Sequence, residues 1–253
     1  MGVIMTESTS KIKHLAEIER KTHNFSQLQS IDLDTLYERN QIHLLEKPMG
    51  EEISGVFIKD EDNYLVIINT NKSVGHQNFT KAHEFYHYKF DPNLSSKICT
   101  TGKFDKTDIS EFHADLFAEN FLMPEDGIYQ ILEQYYSQNK TNSVDLGALL
   151  YLESIFEVSR RAMIRRLKTL NIITHAEANN FYREKIRKAA LHYGFQDSIY
   201  RPTQNTALKS THKFLVEKAL ENEKISEKKY FDFLEIPEKL GISPSLEGEE
   251  FND

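Results

Sequence analysis

Two short apolar runs near residue 60 are typical of buried β-strands. Gly55 to Ile58 and Tyr64 to Asn69 are rich in β-branched and aromatic residues. The polar stretch Lys59 to Asn63 between them is long enough for a hairpin loop. Beyond this region the patterns are mostly helical. Strands before residue 80 and helices after it predict an α+β fold with a small sheet.

Two helices are predicted ahead of these strands. The charged stretch Ile12 to Glu19 carries apolar residues at 12, 15 and 18, a helical spacing. Ile31 to Tyr37 is predicted as a second, short helix, and Pro48 to Gly50 marks a turn.

Two further helices follow the second strand. A polar loop from Thr70 to Asn78 is expected first, and Thr80 is the predicted N-cap of the next helix. The stretch from Asp108 to Pro124 is predicted as the other helix. Asp108 or Ser110 is its candidate N-cap, and Pro124 is its stop signal.

Residues 146 to 174 have the outline of a helix-turn-helix. Leu149 to Phe156 and Arg160 to Leu170 are helix patterns, and Ser159 is placed to cap the second. Five cationic residues of this second helix suggest DNA binding: Arg160, Arg161, Arg165, Arg166 and Lys168. The alternative is a solvated face or a surface that docks a protein. The net charge of −8 for the whole chain favours this alternative over DNA binding.

The remaining C-terminal residues predict more helices. Ala176 to Tyr193 is expected to form one charged helix, and 214–226 with 228–234 a helix pair. Four acids among residues 247–253 predict a disordered acidic tail. We therefore expect an α+β domain at 1–135, a helix-turn-helix-like segment at 141–175 and a helical C-terminal region at 176–253.

Composition restricts the class of protein. The chain has 253 residues, of which 39% are hydrophobic, enough for a substantial core. It has no run of 18 apolar residues and no signal-peptide pattern, so we expect no membrane partner. A single cysteine, Cys99, excludes an internal disulfide and suits a cytoplasmic location. Cys99 lacks a spaced partner cysteine, and we interpret it as incidental to metal binding.

The strongest chemical signal is the H-E-x-x-H motif at residues 83–87. On a helix, His83 and His87 lie on one face and can bind one Zn²⁺ ion. Glu84 can reach a water on that ion and act as general base. The alternative is a surface helix that carries two unrelated histidines.

The third ligand should come from the second motif helix, because catalytic zinc takes three protein ligands and keeps one position for water. Glu111 is the favoured candidate, since its helical face also carries Ala114 and Ala118, which allow close approach. Asp115 on this face can accept the free N–H of a histidine ligand. His113 and Asp115 are the rival ligands. Phe90 and Asn93 stand where a metzincin needs Gly and His, which excludes that subclass.

These two motif blocks resemble the ImmA/IrrE family of bacterial metallopeptidases. The similarity lies in Phe79 to His87 and in Glu111 to Pro124, and it extends over about residues 35 to 170. It implies one zinc ion on His83, His87 and Glu111, and a helix-turn-helix repressor as protein substrate. Tyr86, His76 and Asn78 depart from the family pattern, so the substrate cleft is expected to differ.

The resulting hypothesis is a zinc endopeptidase that cleaves one particular protein, with a zincin-like peptidase domain at 1–135. Tyr86, Tyr88 and His76 are candidates for an oxyanion or substrate contact. The competing hypothesis is a DNA- or protein-binding transcription regulator with a structural zinc site. Glu84 discriminates between them, because a structural site has no use for a base.

Overall fold

The computed structural model describes residues 2–60, 63–92, 94, 96–100, 108–209, 212–235 and 243–244. It combines one mixed sheet with helices, so the predicted α+β class is confirmed. The strands of the described part are β1 (Ile42–Lys47), β2 (Ile53–Asp60), β3 (Asn63–Asn69), β4 (Ser96–Thr100), β5 (Ala207–Lys209) and β6 (Ser243–Pro244). The predicted acidic tail lies outside the described residues.

The helices surround this sheet and follow it along the chain. They are α1 (Gly2–Thr22), α2 (Leu33–Arg39), α3 (Val74–Phe90), α4 (Ile109–Leu122), α5 (Glu125–Asn139), α6 (Leu146–Phe156), α7 (Arg160–Thr169), α8 (His175–Arg183), α9 (Ile186–His192), α10 (His212–Glu221) and α11 (Glu227–Leu234). Among these helices, none combines the length and the apolar character needed to cross a lipid bilayer.

The sheet has the strand order β4-β2-β3-β1-β5-β6. The predicted hairpin is confirmed, since β2 and β3 pair antiparallel with Gly55 opposite Ile68. β1 pairs parallel with β3, and β4 pairs antiparallel with the other edge of β2. β4 is therefore the outermost strand on the β2 side.

Helices α3 and α4 pack together through aromatic side chains. The rings of Phe85 and Phe121 stack at 5.9 Å, and Phe117 stacks on Phe121 at 5.0 Å. Ala114 and Ala118 are fully buried on the same helix. Such rings bury a large apolar area, and the small alanines let the helices approach closely. This contact fixes α4 relative to the H-E-x-x-H helix.

Two predictions about the N-terminal end of α3 were wrong. Thr80 does not cap α3, which begins six residues earlier at Val74 with Ser73 at the N-cap position. Thr80 is buried inside the helix, where its hydroxyl donates to the carbonyl of His76 at 3.0 Å. The predicted loop to Asn78 is therefore partly helix. The amides of His76 and Gln77 both donate to Ser73 O, which closes the first turn.

The C-terminal region also differs from expectation. The single helix predicted for Ala176 to Tyr193 is two helices, α8 and α9, separated at Glu184 and Lys185. The chain then returns to the sheet, where β5 pairs antiparallel with β1. The expected final helix pair is present as α10 and α11.

A buried ionic cluster attaches β5 to the core. Lys81 of α3 lies 2.7 Å from Asp34 Oδ1 and 2.8 Å from Glu46 Oε1. Lys209 of β5 lies 3.3 Å from the same Glu46 oxygen. Burial alone would raise the pKa of Glu46, but the two lysines hold it below its usual range.

The segment predicted to be a helix-turn-helix contains α6 and α7, and Ser159 caps α7 as expected. Three of its five cationic side chains bind inside the protein. Arg160 pairs with buried Glu153 at 2.7 Å, Arg165 pairs with Glu119 at 3.0 Å, and Arg166 donates to Met123 O at 3.0 Å. Arg160 and Arg166 are buried, so the interpretation of this basic helix as a solvated face is wrong for both residues.

Candidate metal centre

Helix α3 carries the H-E-x-x-H residues into the interior. His87 and Glu84 are fully buried, and His83 is 6% exposed. The ring nitrogens His83 Nε2 and His87 Nε2 face each other at 3.3 Å. Spacing of four residues places both rings on one helical face.

Helix α4 brings Glu111 to these rings. Asp108 caps the helix by accepting from the amides of Ser110 and Glu111, as one of the two alternatives predicted. Glu111 Oε1 lies 3.1 Å from His87 Nε2, and Oε2 lies 3.4 Å from His83 Nε2. Burial alone would raise the pKa of Glu111, but the two histidines hold it well below its usual range.

Asp115 and His113, the rival candidates for the third ligand, do not belong to the group of donor atoms that could hold a metal. Asp115 Oδ1 is 2.9 Å from Nδ1 of His83, the nitrogen that faces away from the metal group. Burial alone would lower the pKa of His83, but this carboxylate raises it. Asp115 thus occupies the orienting position expected for it. His113 is half-buried, and burial and the charge of Lys11 lower its pKa.

Cys99 was interpreted as incidental, and the structure corrects this. It is 4% exposed, and its Sγ lies 3.6 Å from His83 Nε2. One donor atom from each of His83, His87, Cys99 and Glu111 lies within 4.8 Å of the others. Burial raises the pKa of the Cys99 thiol to about 12. No sequence spacing reveals this residue, because the pairing of β4 with β2 brings it to α3.

Two of the separations between donor atoms match those of a tetrahedral zinc site. Two nitrogens at about 2.0–2.1 Å from such an ion lie about 3.3 Å apart, and a sulfur at about 2.3 Å lies about 3.6 Å from either. The observed separations are 3.3 Å for the imidazoles and 3.6 Å for sulfur to nitrogen. The donor set of two nitrogens, a thiol and a carboxylate is also one that zinc prefers.

Glu84 lies beside this group without being one of its members. Both of its carboxylate oxygens are buried and accept no hydrogen bond of ordinary geometry in the described part of the chain. Burial raises the pKa of Glu84, although the nearby histidines and the Cys99 thiol act to lower it. A buried carboxylate with no partner is costly unless it serves a ligand or a reaction.

Two charged neighbours of the group were not predicted. Lys97 Nζ lies 2.9 Å from Glu111 Oε1 and 2.8 Å from Asp108 Oδ2. Asp91 Oδ2 lies 3.4 Å from Nδ1 of His87, the ring nitrogen that faces away from His83. Asp91 follows His87 by one helical turn, a spacing that could have indicated it. Lys97 offers no such signal, because it lies on β4.

The three candidate oxyanion or substrate contacts are placed differently. His76 lies on the α3 face that also carries His83, and its Nε2 is 2.9 Å from Ser54 Oγ. Burial lowers the pKa of His76 to about 4. The hydroxyl of Tyr88 donates to Asn40 O at 3.3 Å, and the ring of Tyr86 packs at 5.7 Å from that of Phe117. Their predicted roles stay predictions.

Comparison with known proteins agrees with this geometry. The family model Peptidase_M78, described as the IrrE N-terminal-like domain, matches residues 37–168, more than half of the chain. The match spans both motif helices and the α6–α7 pair. A search among curated proteins gives no significant match. The chain therefore belongs to the Peptidase_M78 family, the ImmA/IrrE type of metallopeptidase.

Proposed function

We propose that this protein is a zinc-dependent endopeptidase. The observation that carries the proposal is the buried, unpartnered carboxylate of Glu84 beside the donor atoms of His83, His87 and Glu111. A metal site that served only the fold would gain nothing from this carboxylate and would bear the cost of its burial.

The side chains divide the work of peptide hydrolysis. A bound zinc ion would supply Lewis acidity, which lowers the pKa of a water and polarises the scissile carbonyl. Glu84 takes a proton from the attacking water and returns it to the leaving amine. Asp115 accepts the Nδ1 proton of His83 and so leaves Nε2 free to bind metal. Lys97 offsets the negative charge of Glu111.

The substrate is proposed to be a helix-turn-helix transcriptional repressor in the cytoplasm, as the family resemblance suggests. Cleavage of the repressor would restore expression of its genes. The contacts of Arg160, Arg165 and Arg166 within the protein make α7 a poor reader of DNA bases, so recognition of a protein is favoured.

The test compares protein N-termini in host cells that express wild type, Glu84→Gln or Glu133→Gln. Glu133 is an exposed residue of α5 and provides the matched control. We expect new N-termini within one repressor for wild type and Glu133→Gln, and none for Glu84→Gln. Equal profiles for all three proteins, each with full metal content, would contradict the proposal.

The second candidate function is a transcription regulator with a closed, structural metal site. The specific observation in its favour is Cys99, which gives the site a fourth protein donor. In that case no cleavage would depend on Glu84, and Glu84→Gln would regulate as wild type does. Loss of the metal would unfold the site.

A further inference from the structure

The register of β4 turns polar side chains toward the metal group. Lys97 and Cys99 lie on one face of the strand, where alternate residues point the same way. Lys97 contacts Glu111, and Cys99 contacts His83. Ile98 points to the opposite face and is 60% exposed. A shift by one residue would bury Ile98 and remove both polar groups, so this register favours the metal site over apolar burial.

The strand opposite β4 leaves room for Cys99 to approach Glu84. Gly55 of β2 pairs with Cys99. A Cβ atom on Gly55 would lie 3.0 Å from Glu84 Oε1 and 2.8 Å from a methyl carbon of Thr80. The absence of a side chain at Gly55 thus keeps β2 close to α3. The thiol and the unpartnered carboxylate can then lie side by side under the sheet edge.

We propose that the Cys99 thiolate is a fourth protein ligand of the metal, which closes the site and keeps the peptidase latent until Cys99 leaves the ion. Two independent observations support it. The separation of 3.6 Å between the sulfur and His83 Nε2 matches that of two ligands on one tetrahedral zinc. Both carboxylate oxygens of Glu84 are buried without a hydrogen-bond partner beside this group of donor atoms.

Release of Cys99 would open one metal position while β4 stays in the sheet as its outermost strand on the β2 side. Latency rests on the proposed peptidase function, whereas ligation by Cys99 does not.

The ligand is tested by spectroscopy. Wild type, Cys99→Ala and Ile98→Ala are loaded with Co²⁺, which replaces zinc and reports its ligands. We expect a sulfur-to-cobalt charge-transfer band in the near ultraviolet for wild type and Ile98→Ala, and none for Cys99→Ala. Thermal melts of the three proteins are the control that each is folded. The same spectrum for wild type and Cys99→Ala would overturn the proposal.

Latency is tested by counting Glu84-dependent N-termini in unstressed host cells. We expect Cys99→Ala to produce at least about tenfold more of them than wild type or Ile98→Ala, and Cys99→Ala combined with Glu84→Gln to produce none. Equal cleavage by wild type and Cys99→Ala would overturn latency. If the charge-transfer band is present but no variant produces cleavage, both latency and the proposed function are overturned. Ligation of the metal by Cys99 would then still stand.

Discussion

The imidazole of His83 has a different partner on each side of its ring. Nδ1 faces the Asp115 carboxylate at 2.9 Å, and Nε2 faces His87 at 3.3 Å. A proton held on Nδ1 fixes the tautomer in which Nε2 carries a lone pair. The ring is therefore oriented for a metal by contacts within the protein.

Glu111 and His113 provide a matched test of the ligand set. Glu111→Ala removes a donor from the group, so we expect metal affinity to fall by roughly 100-fold or more, beyond the usual effect of losing a neighbour of the ligands. His113→Ala should leave the affinity unchanged. Competition with a chromophoric chelator measures both. Weaker binding by His113→Ala alone would show that the assignment is wrong.

The sequence predicted the side chains of the site that lie on helices. His83, Glu84, His87, Glu111 and Asp115 could be placed from helical periodicity, which acts over one turn. Cys99 could not be placed in this way. Its position depends on how a strand pairs across the sheet, and such pairing is not encoded in local spacing.

At the scale of elements, the start of α3 lies against the turn between α6 and α7. A Cβ atom on Gly75 would lie 2.5 Å from both Ser159 N and Val158 C, which are backbone atoms. The helix therefore needs a glycine here, although glycine is a poor helix former. The sequence interpretation had assigned residues 74–78 to a polar loop.

Gly75→Ala should destabilise the protein because its methyl group would overlap this turn. We expect the free energy of unfolding to fall by about 2 kcal/mol. Gly50→Ala is the control, since a Cβ there meets no atom within 4 Å. Urea unfolding of the apo proteins measures the difference. Equal stability of the two variants would mean that the α6–α7 turn is not held against α3 in solution.

At the scale of the whole molecule, the sheet joins distant parts of the chain. The hairpin of β2 and β3 was predictable because it is local and apolar. β5 was not, since its three residues carry no strand pattern and it pairs with a strand about 160 residues earlier. The contact of Lys209 with the buried carboxylate of Glu46 helps to hold β5 there.

The ionic cluster makes stability depend on pH. The pKa values of Asp34 and Glu46 are lowered in the folded state, by Lys81 and Lys209 acting against burial. Their contribution is therefore complete above the usual carboxyl pKa of about 4, and it is lost as the pH falls through the lower folded values.

Glu46→Gln isolates this contribution. We expect the variant to be about 3 kcal/mol less stable than wild type at pH 7. The gap should narrow as the pH falls from 7 to below the usual carboxyl pKa of about 4, because the unfolded wild-type chain then takes up a proton that the folded state does not. Urea unfolding across this range is the measurement. A gap that stays constant with pH would contradict the role of the Glu46 charge.

The pairing of β5 with β1 has a consequence for how the protein can be divided. The family match ends at residue 168, yet β5, which pairs with β1 and carries Lys209, lies beyond it. A shortened chain that ended there would leave the β1 edge unpaired, and exposed edges promote aggregation. The end of the family match and the end of the segment needed to complete the sheet thus lie at different residues of this protein.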